Sequence, residues 1–407
     1  MITEIKINNF KSVQNLSLPL GRFNVLIGSN GSGKSNILEA ITFAGAASAD
    51  KLDNEFLGSR GIRTANSQLM KSAFSKKTFL EPIKLLFKNG KNEISLTIDE
   101  ENKPILTWYA KEKRDLEKKF TNILLSFYGG DVEGITGFEK YDEEQKNNIR
   151  QISLQIKELL KGEDKGAIEE FIKSVFNFNS INEIYKEQFY NIELANFLIY
   201  SPEVSSLRMF EEESQIKPLG IKGEGLFSVL QIFHESYGKE TIDELKKYLH
   251  IIEWFDDFEA IFDKVSGRKS LVVKDRYIPD ILLNQNNVNE GFLFLMFYVS
   301  LFLSKETPSF FSIDNVEASF HPLLCKEMTK NLVELSETHS KQVILTTHNP
   351  FVLDGLDLND SEQKLFVIRR DPDGETIADH IDKPLQNVKL SEGWMKGIIG
   401  GQPETIE

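Results

Sequence analysis

The residues Gly28-Ser29-Asn30-Gly31-Ser32-Gly33-Lys34-Ser35 fit the pattern G-x-x-x-x-G-K-[ST]. The apolar run Phe23-Asn24-Val25-Leu26-Ile27 precedes them and reads as a buried strand. A helix is expected after them, from about Ser35 to Ala46. Strand, glycine-rich loop and helix in this order form a phosphate cradle. The glycines let backbone N–H groups curl around an anion, and the helix N-terminus adds partial positive charge. Lys34 is then placed for the β- and γ-phosphates, with Ser35 as a ligand of Mg²⁺. The chain must therefore contain an α/β sheet with this loop at one strand's carboxyl end.

A second oxygen ligand for the metal is needed. Asp314 ends the apolar strand Phe310-Phe311-Ser312-Ile313. A carboxylate at that end points into the ligand crevice of an open α/β sheet. His348 follows the next strand, Gln342–Thr346. It is placed to meet the γ-phosphate or to orient an attacking water.

Short strands are expected before Leu20, at Ile83–Phe87, at Glu93–Ile98 and at Ile105–Tyr109. From about Lys111 to Asn191 the chain is rich in Lys, Glu, Ile, Leu and Phe and lacks proline. It reads as an inserted helical lobe, and helix is expected to continue, after a glycine-rich loop, to about Lys264. Strand Ser270–Lys274, helix Glu290–Ser304, strand Phe310–Ile313, helix His321–Ser336 and strands Gln342–Thr346 and Gln363–Arg369 restore α/β order. The expected fold is α/β: a split, mostly parallel sheet with N-terminal antiparallel strands and an inserted helical lobe. Its parts are residues 1–110 (first part of the phosphate-loop domain), 111–264 (mainly helical insertion) and 265–407 (second part).

Charge and cysteine content narrow the function. The net charge of −14 disfavours a nucleic-acid-binding surface over the whole molecule. One basic stretch remains, Arg60 to Lys77, in which Arg60, Arg63, Lys71, Lys76 and Lys77 meet no acidic residue. It could touch DNA or ATP, or be a solvated loop. A single cysteine, Cys325, permits no intramolecular disulfide, and six scattered histidines offer no zinc pattern. No apolar run reaches the ~18 residues of a membrane span, and no signal peptide is evident. A cytoplasmic protein is expected. Asp371-Pro372-Asp373-Gly374 reads as a hairpin turn rather than a metal pair. The loop Pro218–Leu226 holds three glycines, for either a close backbone approach or a turn before a helix.

Together these motifs resemble the ABC-type ATPases of the branch that holds the SMC, RecF and OLD-family proteins. Asn9-Phe10-Lys11-Ser12 is similar to that branch's opening, and Gly33-Lys34-Ser35-Asn36-Ile37-Leu38-Glu39-Ala40 to its P-loop helix. Asp314-Asn315-Val316-Glu317-Ala318 resembles its Walker B and D-loop stretch. Thr346-Thr347-His348-Asn349-Pro350 is similar to its switch histidine, and Asn289-Glu290-Gly291 to a degenerate signature motif.

The resemblance implies ATP and Mg²⁺ as ligands. Asn30 to Asn36 would hold the phosphates, and Arg60 or Arg63 would approach the nucleotide by analogy with an arginine of related ATPases; Gln68 is a candidate for the Q-loop glutamine. It also implies a homodimer or higher oligomer, each signature motif (Asn289, Glu290, Gly291) capping its partner's ATP. The family's catalytic glutamate should follow Asp314, but Asn315 stands there. Asn cannot accept a water's proton, and losing a general base costs about 10²–10⁴ in rate. Glu317 is the alternative base, although its position suggests that it faces the D-loop. The residues after Arg369 do not resemble the nuclease domain of OLD proteins. The expected role is a regulatory ATPase of an anti-phage defence system controlling a separate, nuclease-like effector. A RecF-like DNA-binding repair ATPase is the alternative, and a transporter subunit is disfavoured.

Overall fold

The computed structural model describes residues 1–63, 67–74, 78, 80–90, 92–102, 106–118, 180–210, 216–262, 269–385 and 388–402. Most of the expected helical lobe, residues 119–179, lies outside them, as do Lys76 and Lys77.

A six-stranded sheet forms the centre, in the order β14-β13-β3-β12-β11-β7. Its strands are β3 (Phe23–Ile27), β7 (Ile199–Tyr200), β11 (Phe310–Ile313), β12 (Gln342–Thr346), β13 (Gln363–Arg370) and β14 (Thr376–Ile381). All pairings are parallel except that of β13 with β14. Strands from both ends of the chain interleave, so the sheet is split in sequence as expected. β3, β11 and β12 are buried along their whole length. Burial on both faces is the condition of a parallel sheet and explains why these strands read as continuous apolar runs.

Side chains alternate between two cores. Val25, Ile27, Phe311, Ile313, Val343, Leu345, Leu365 and Val367 face one; Leu26, Phe310, Ile344, Phe366 and Ile368 face the other. The second core holds α1 (Lys34–Ser48), roofed by an antiparallel sheet in the order β2-β1-β4-β5-β6. That sheet comprises β1 (Glu4–Phe10), β2 (Val13–Pro19), β4 (Ile83–Asn89), β5 (Asn92–Asn102) and β6 (Leu106–Ala110). The first core is filled by α3 (Leu226–Ile232), α4 (Lys239–Leu249), the largely apolar α5 (Glu290–Leu303) and α6 (Pro322–Thr338). The short helices α2 (Asn54–Ser59) and α7 (Leu390–Met395) flank the sheet.

Two strands lie where helix was expected. β7 adds two residues to the sheet edge, beside Ser312 and Ile313. β8 (Phe255–Phe262) pairs antiparallel with β9 (Lys269–Asp275), which pairs with β10 (Leu282–Asn284). The register of β8 shifts between Phe255 and Asp257. A bulge of this kind lets two residues three apart, Phe255 and Phe258, both turn inward. Such spacing imitates a helix in the sequence.

The glycine-rich loop is a turn that opens α3. Gly223 and Gly225 have positive φ, and a Cβ on Gly225 would stand 2.1 Å from Pro218 O. The Asp371–Gly374 stretch is a hairpin turn, with Asp371 Oδ1 accepting from the N–H groups of Asp373 and Glu375.

Gly45 marks the closest approach to α1: a Cβ there would lie 2.1 Å from Leu194 O. Overpacking such a contact costs about 1–3 kcal/mol. Gly45→Val should therefore lower the calorimetric unfolding midpoint by several degrees. An unchanged midpoint would contradict this packing.

Candidate functional site

The loop after β3 sits between β12 and β13, the next strands on either side. α1 begins directly at Lys34, after Gly33 in a left-handed conformation (φ 113°), and no side chain caps it. Its first-turn N–H groups are therefore free to meet an anion. Asn30 and Gly31 are exposed at the loop's tip. Lys34 is buried and donates from Nζ to Gly28 O at 2.9 Å and to Ser29 O at 3.1 Å. Burial lowers its pKa, while nearby Asp314 and Glu317 oppose that shift.

The loop is braced by residues far away in sequence. Thr376 Oγ1 donates to Ser32 O at 3.0 Å and lies 2.7 Å from Ser12 Oγ. Asn36 Nδ2 donates to Ser12 Oγ at 2.6 Å. Arg370 Nε donates to Gly31 O at 3.0 Å. Only glycine suits position 33, because a Cβ there would fall 2.1 Å from Thr376 Oγ1. The reading of the sequence noted Ser12 without a mechanism and missed Thr376 and Arg370, which carry no local motif.

Asp314 and Ser35 meet across the strand ends, Ser35 Oγ donating to Asp314 Oδ2 at 3.5 Å. Thr346 Oγ1 donates to the other carboxylate oxygen, which orients the group. A hydroxyl and a carboxylate are hard oxygen donors, the pair that suits Mg²⁺ bound together with phosphates and water. Among the described residues no group of three or more His, Cys, Asp or Glu is placed to hold a metal. The metal readings of Ser35 and Asp314 therefore require phosphate oxygens to complete the shell.

Asn315 is exposed and left-handed (φ 55°), its N–H donating to Thr346 Oγ1 at 2.9 Å. Glu317 does not point away along the D-loop as expected. Its Oε1 accepts from the backbone N–H of His348 at 2.8 Å, and its Oε2 is buried without a partner. His348 is exposed. Partial desolvation of the ring, and the Lys34 ammonium, lower its pKa against the opposing Glu317 and Asp314.

The signature-like residues lie at the start of α5. Asn289 caps it, Oδ1 accepting from Phe292 N–H at 3.4 Å. Glu290 accepts from Ser319 Oγ at 3.4 Å. Gly291 is held against Ser319, whose carbonyl oxygen would lie 3.1 Å from an added Cβ. Asn289 and Glu290 are exposed, as a surface facing a partner requires.

The basic stretch does not gather at the phosphates. The Arg60 guanidinium stacks on Phe56 at 3.4 Å and lines a cavity of about 730 Å³ beside Thr307–Ser309 and Lys341, at the amino ends of β11 and β12. That is the opposite end of β11 from Asp314, so Arg60 lies away from the phosphate loop. Burial lowers its pKa to about 10. Arg63 Nε donates to buried Glu39 at 2.6 Å, and Glu39 also pairs with Lys11. Lys71 is buried against Asp99 at 2.9 Å. The side chain of Gln68 lies outside the described residues. Cys325 is buried and free, its thiol pushed up to about 12 by burial.

The AAA ATPase domain family matches residues 1–353. The chain belongs to that family. A crystal structure of an SMC head bound to the C-terminal winged-helix domain of ScpA superposes with a TM-score of 0.51 at 14% identity. It covers 93% of this chain and 98% of that one. An SMC head with coiled coil and joint from Pyrococcus yayanosii gives 0.49 at 12% identity, over 98% of this chain and 99% of that one. A stretch of 60 residues is 48% identical to the chromosome partition protein Smc of Methanocaldococcus jannaschii. It covers 14% of this chain and only 5% of that protein. The fold is thus that of an SMC-like ATPase head. No helix among the described residues is long and apolar enough to cross a membrane.

His348 should titrate below 6.5, because its surroundings oppose the charged ring. A lowered histidine pKa means that folding is progressively disfavoured as pH falls through 6.5 towards the folded-state value. NMR titration of the imidazole, assigned with His348→Gln, should show this midpoint. Lys34→Ala should raise it by removing a nearby cation. A wild-type midpoint at or above 6.5 would contradict the arrangement.

Proposed function

We propose that this ATPase works as an ATP-held switch: nucleotide joins two copies of the head, and slow hydrolysis releases them. The supporting observation is the state of the two positions from which a general base could come. The position after Asp314 holds Asn315, which cannot take a proton. Glu317 spends one oxygen on the His348 N–H and has the other enclosed. Lys34, Ser35 and Asp314 keep the means to bind MgATP, while proton removal from water is weakly served. A long-lived ATP state suits a regulator better than a motor.

In this reading the chain is a regulatory subunit of an anti-phage defence system, and its ATP state controls a separate effector such as a nuclease. The resemblance to the OLD-like branch and the acidic surface, suited to protein partners, support it. The RecF-like alternative gains little from Arg60–Lys77: Arg63 and Lys71 are paired within the fold and Arg60 is stacked.

The test is steady-state hydrolysis of MgATP by the wild type, Lys34→Ala and Asn315→Glu. A left-handed non-glycine residue costs about 1–2 kcal/mol, against the ~10²–10⁴ in rate that a general base supplies. Asn315→Glu should therefore raise turnover at least ~10-fold despite the strain. Lys34→Ala should lose ATP binding. Rapid turnover by the wild type alone would refute the slow-hydrolysis reading.

A further inference from the structure

The C-terminal segment lies against the nucleotide loop. Gly401 (φ 76°) stands so close that a Cβ would lie 3.6 Å from Gly28 Cα and 2.6 Å from Val367 Cγ1. Gly28 is confined on another side as well, since its own Cβ would meet Ile368 O at 2.0 Å. The first residue of the phosphate loop is thus held between β13 and the tail.

Two further contacts anchor this segment. Ser391 donates from N–H and Oγ to the two oxygens of Asp354, at 3.0 and 2.8 Å. Asp354 belongs to the short 3-10 helix Pro350–Gly355, which begins two residues after His348. Trp394 packs into the core with Leu390 and Ile399, over nine-tenths buried. Its indole Nε1–H is buried without a partner, and it would lie 3.7 Å from a Cβ on Gly401. An unpaired buried donor costs about 1–3 kcal/mol, so the indole gains a partner if this corner rearranges.

The tail therefore touches two parts of the site: the start of the phosphate loop and the segment after His348. We propose that Leu390–Gln402 is a positioning element of the nucleotide site, with Trp394 and Gly401 holding Gly28, so that tail docking and MgATP binding favour each other. This rests on the reading that Gly28–Ser35 binds MgATP. Because the coupling is thermodynamic, it is reciprocal: loosening the tail must weaken the nucleotide by the same factor by which the nucleotide tightens the tail.

The test uses the full chain carrying Trp108→Phe and Trp254→Phe, which leaves Trp394 as its sole tryptophan. MgATP binding is measured by calorimetry and Trp394 emission is followed in parallel. A saturable emission change that tracks binding is expected. Asp354→Ala, which frees the tail at a distance from the phosphate loop, should weaken MgATP binding about fivefold or more and shrink the emission change. Gly401→Val should act in the same direction if it folds; Asp354→Ala keeps the test open if it does not. MgATP binding with silent Trp394 emission, or unaltered affinity in Asp354→Ala, overturns the inference while leaving the nucleotide reading intact. Absence of MgATP binding in the wild type overturns both.

Discussion

Thirteen of the fifteen residues of α1 are buried between the parallel and the antiparallel sheet. A helix enclosed on both sides cannot turn about its axis or slide, so its bare N-terminus is fixed over the end of β3. That end is where a left-handed Gly33 and the Thr376 brace hold the loop open to phosphate. β12 beside β3, and β11 beyond it, deliver His348 and Asp314 to the same edge because all three strands run parallel. Site geometry thus follows from burying one helix.

Under the proposed switch, the same edge would separate binding from hydrolysis. Positive charge and free N–H groups converge from α1 and Lys34, and these set affinity. Proton removal depends on the loop after β11, where backbone shape decides the outcome. Asn315 occupies a left-handed position that short polar residues tolerate. Its N–H bond to Thr346 also fixes the strand end that orients Asp314. Glu317 is drawn back to His348 and braces the switch segment. One loop therefore serves metal orientation and switch geometry, with Glu317 drawn to the His348 backbone.

Much of this was legible in the sequence because the informative signals are local. Gly28–Ser35 carries its own turn chemistry, and the apolar runs at Phe23–Ile27 and Phe310–Ile313 are the ordinary mark of doubly buried strands. What escaped depends on pairing across the fold. β7 is too short to show a period, and the β8 bulge gives Phe255 and Phe258 a helical spacing. Ser12 and Thr376 are 364 positions apart and meet only when the antiparallel roof closes over α1. Arg60 and Lys71 looked like free cations because no acidic residue is near them in sequence, yet Lys71 finds Asp99 across the sheet. The orientation of Glu317 rests on one backbone bond across two strand ends, beyond the reach of any spacing rule.

Nucleotide-held association of two heads is the claim on which the account stands. Light scattering coupled to size-exclusion chromatography measures it most directly, on wild type and Lys34→Ala, each with and without MgATP. The account predicts the mass of one chain without nucleotide and of two with MgATP for the wild type, and one chain throughout for Lys34→Ala. A wild-type mass unaffected by MgATP, under conditions where calorimetry shows the nucleotide bound, would contradict it.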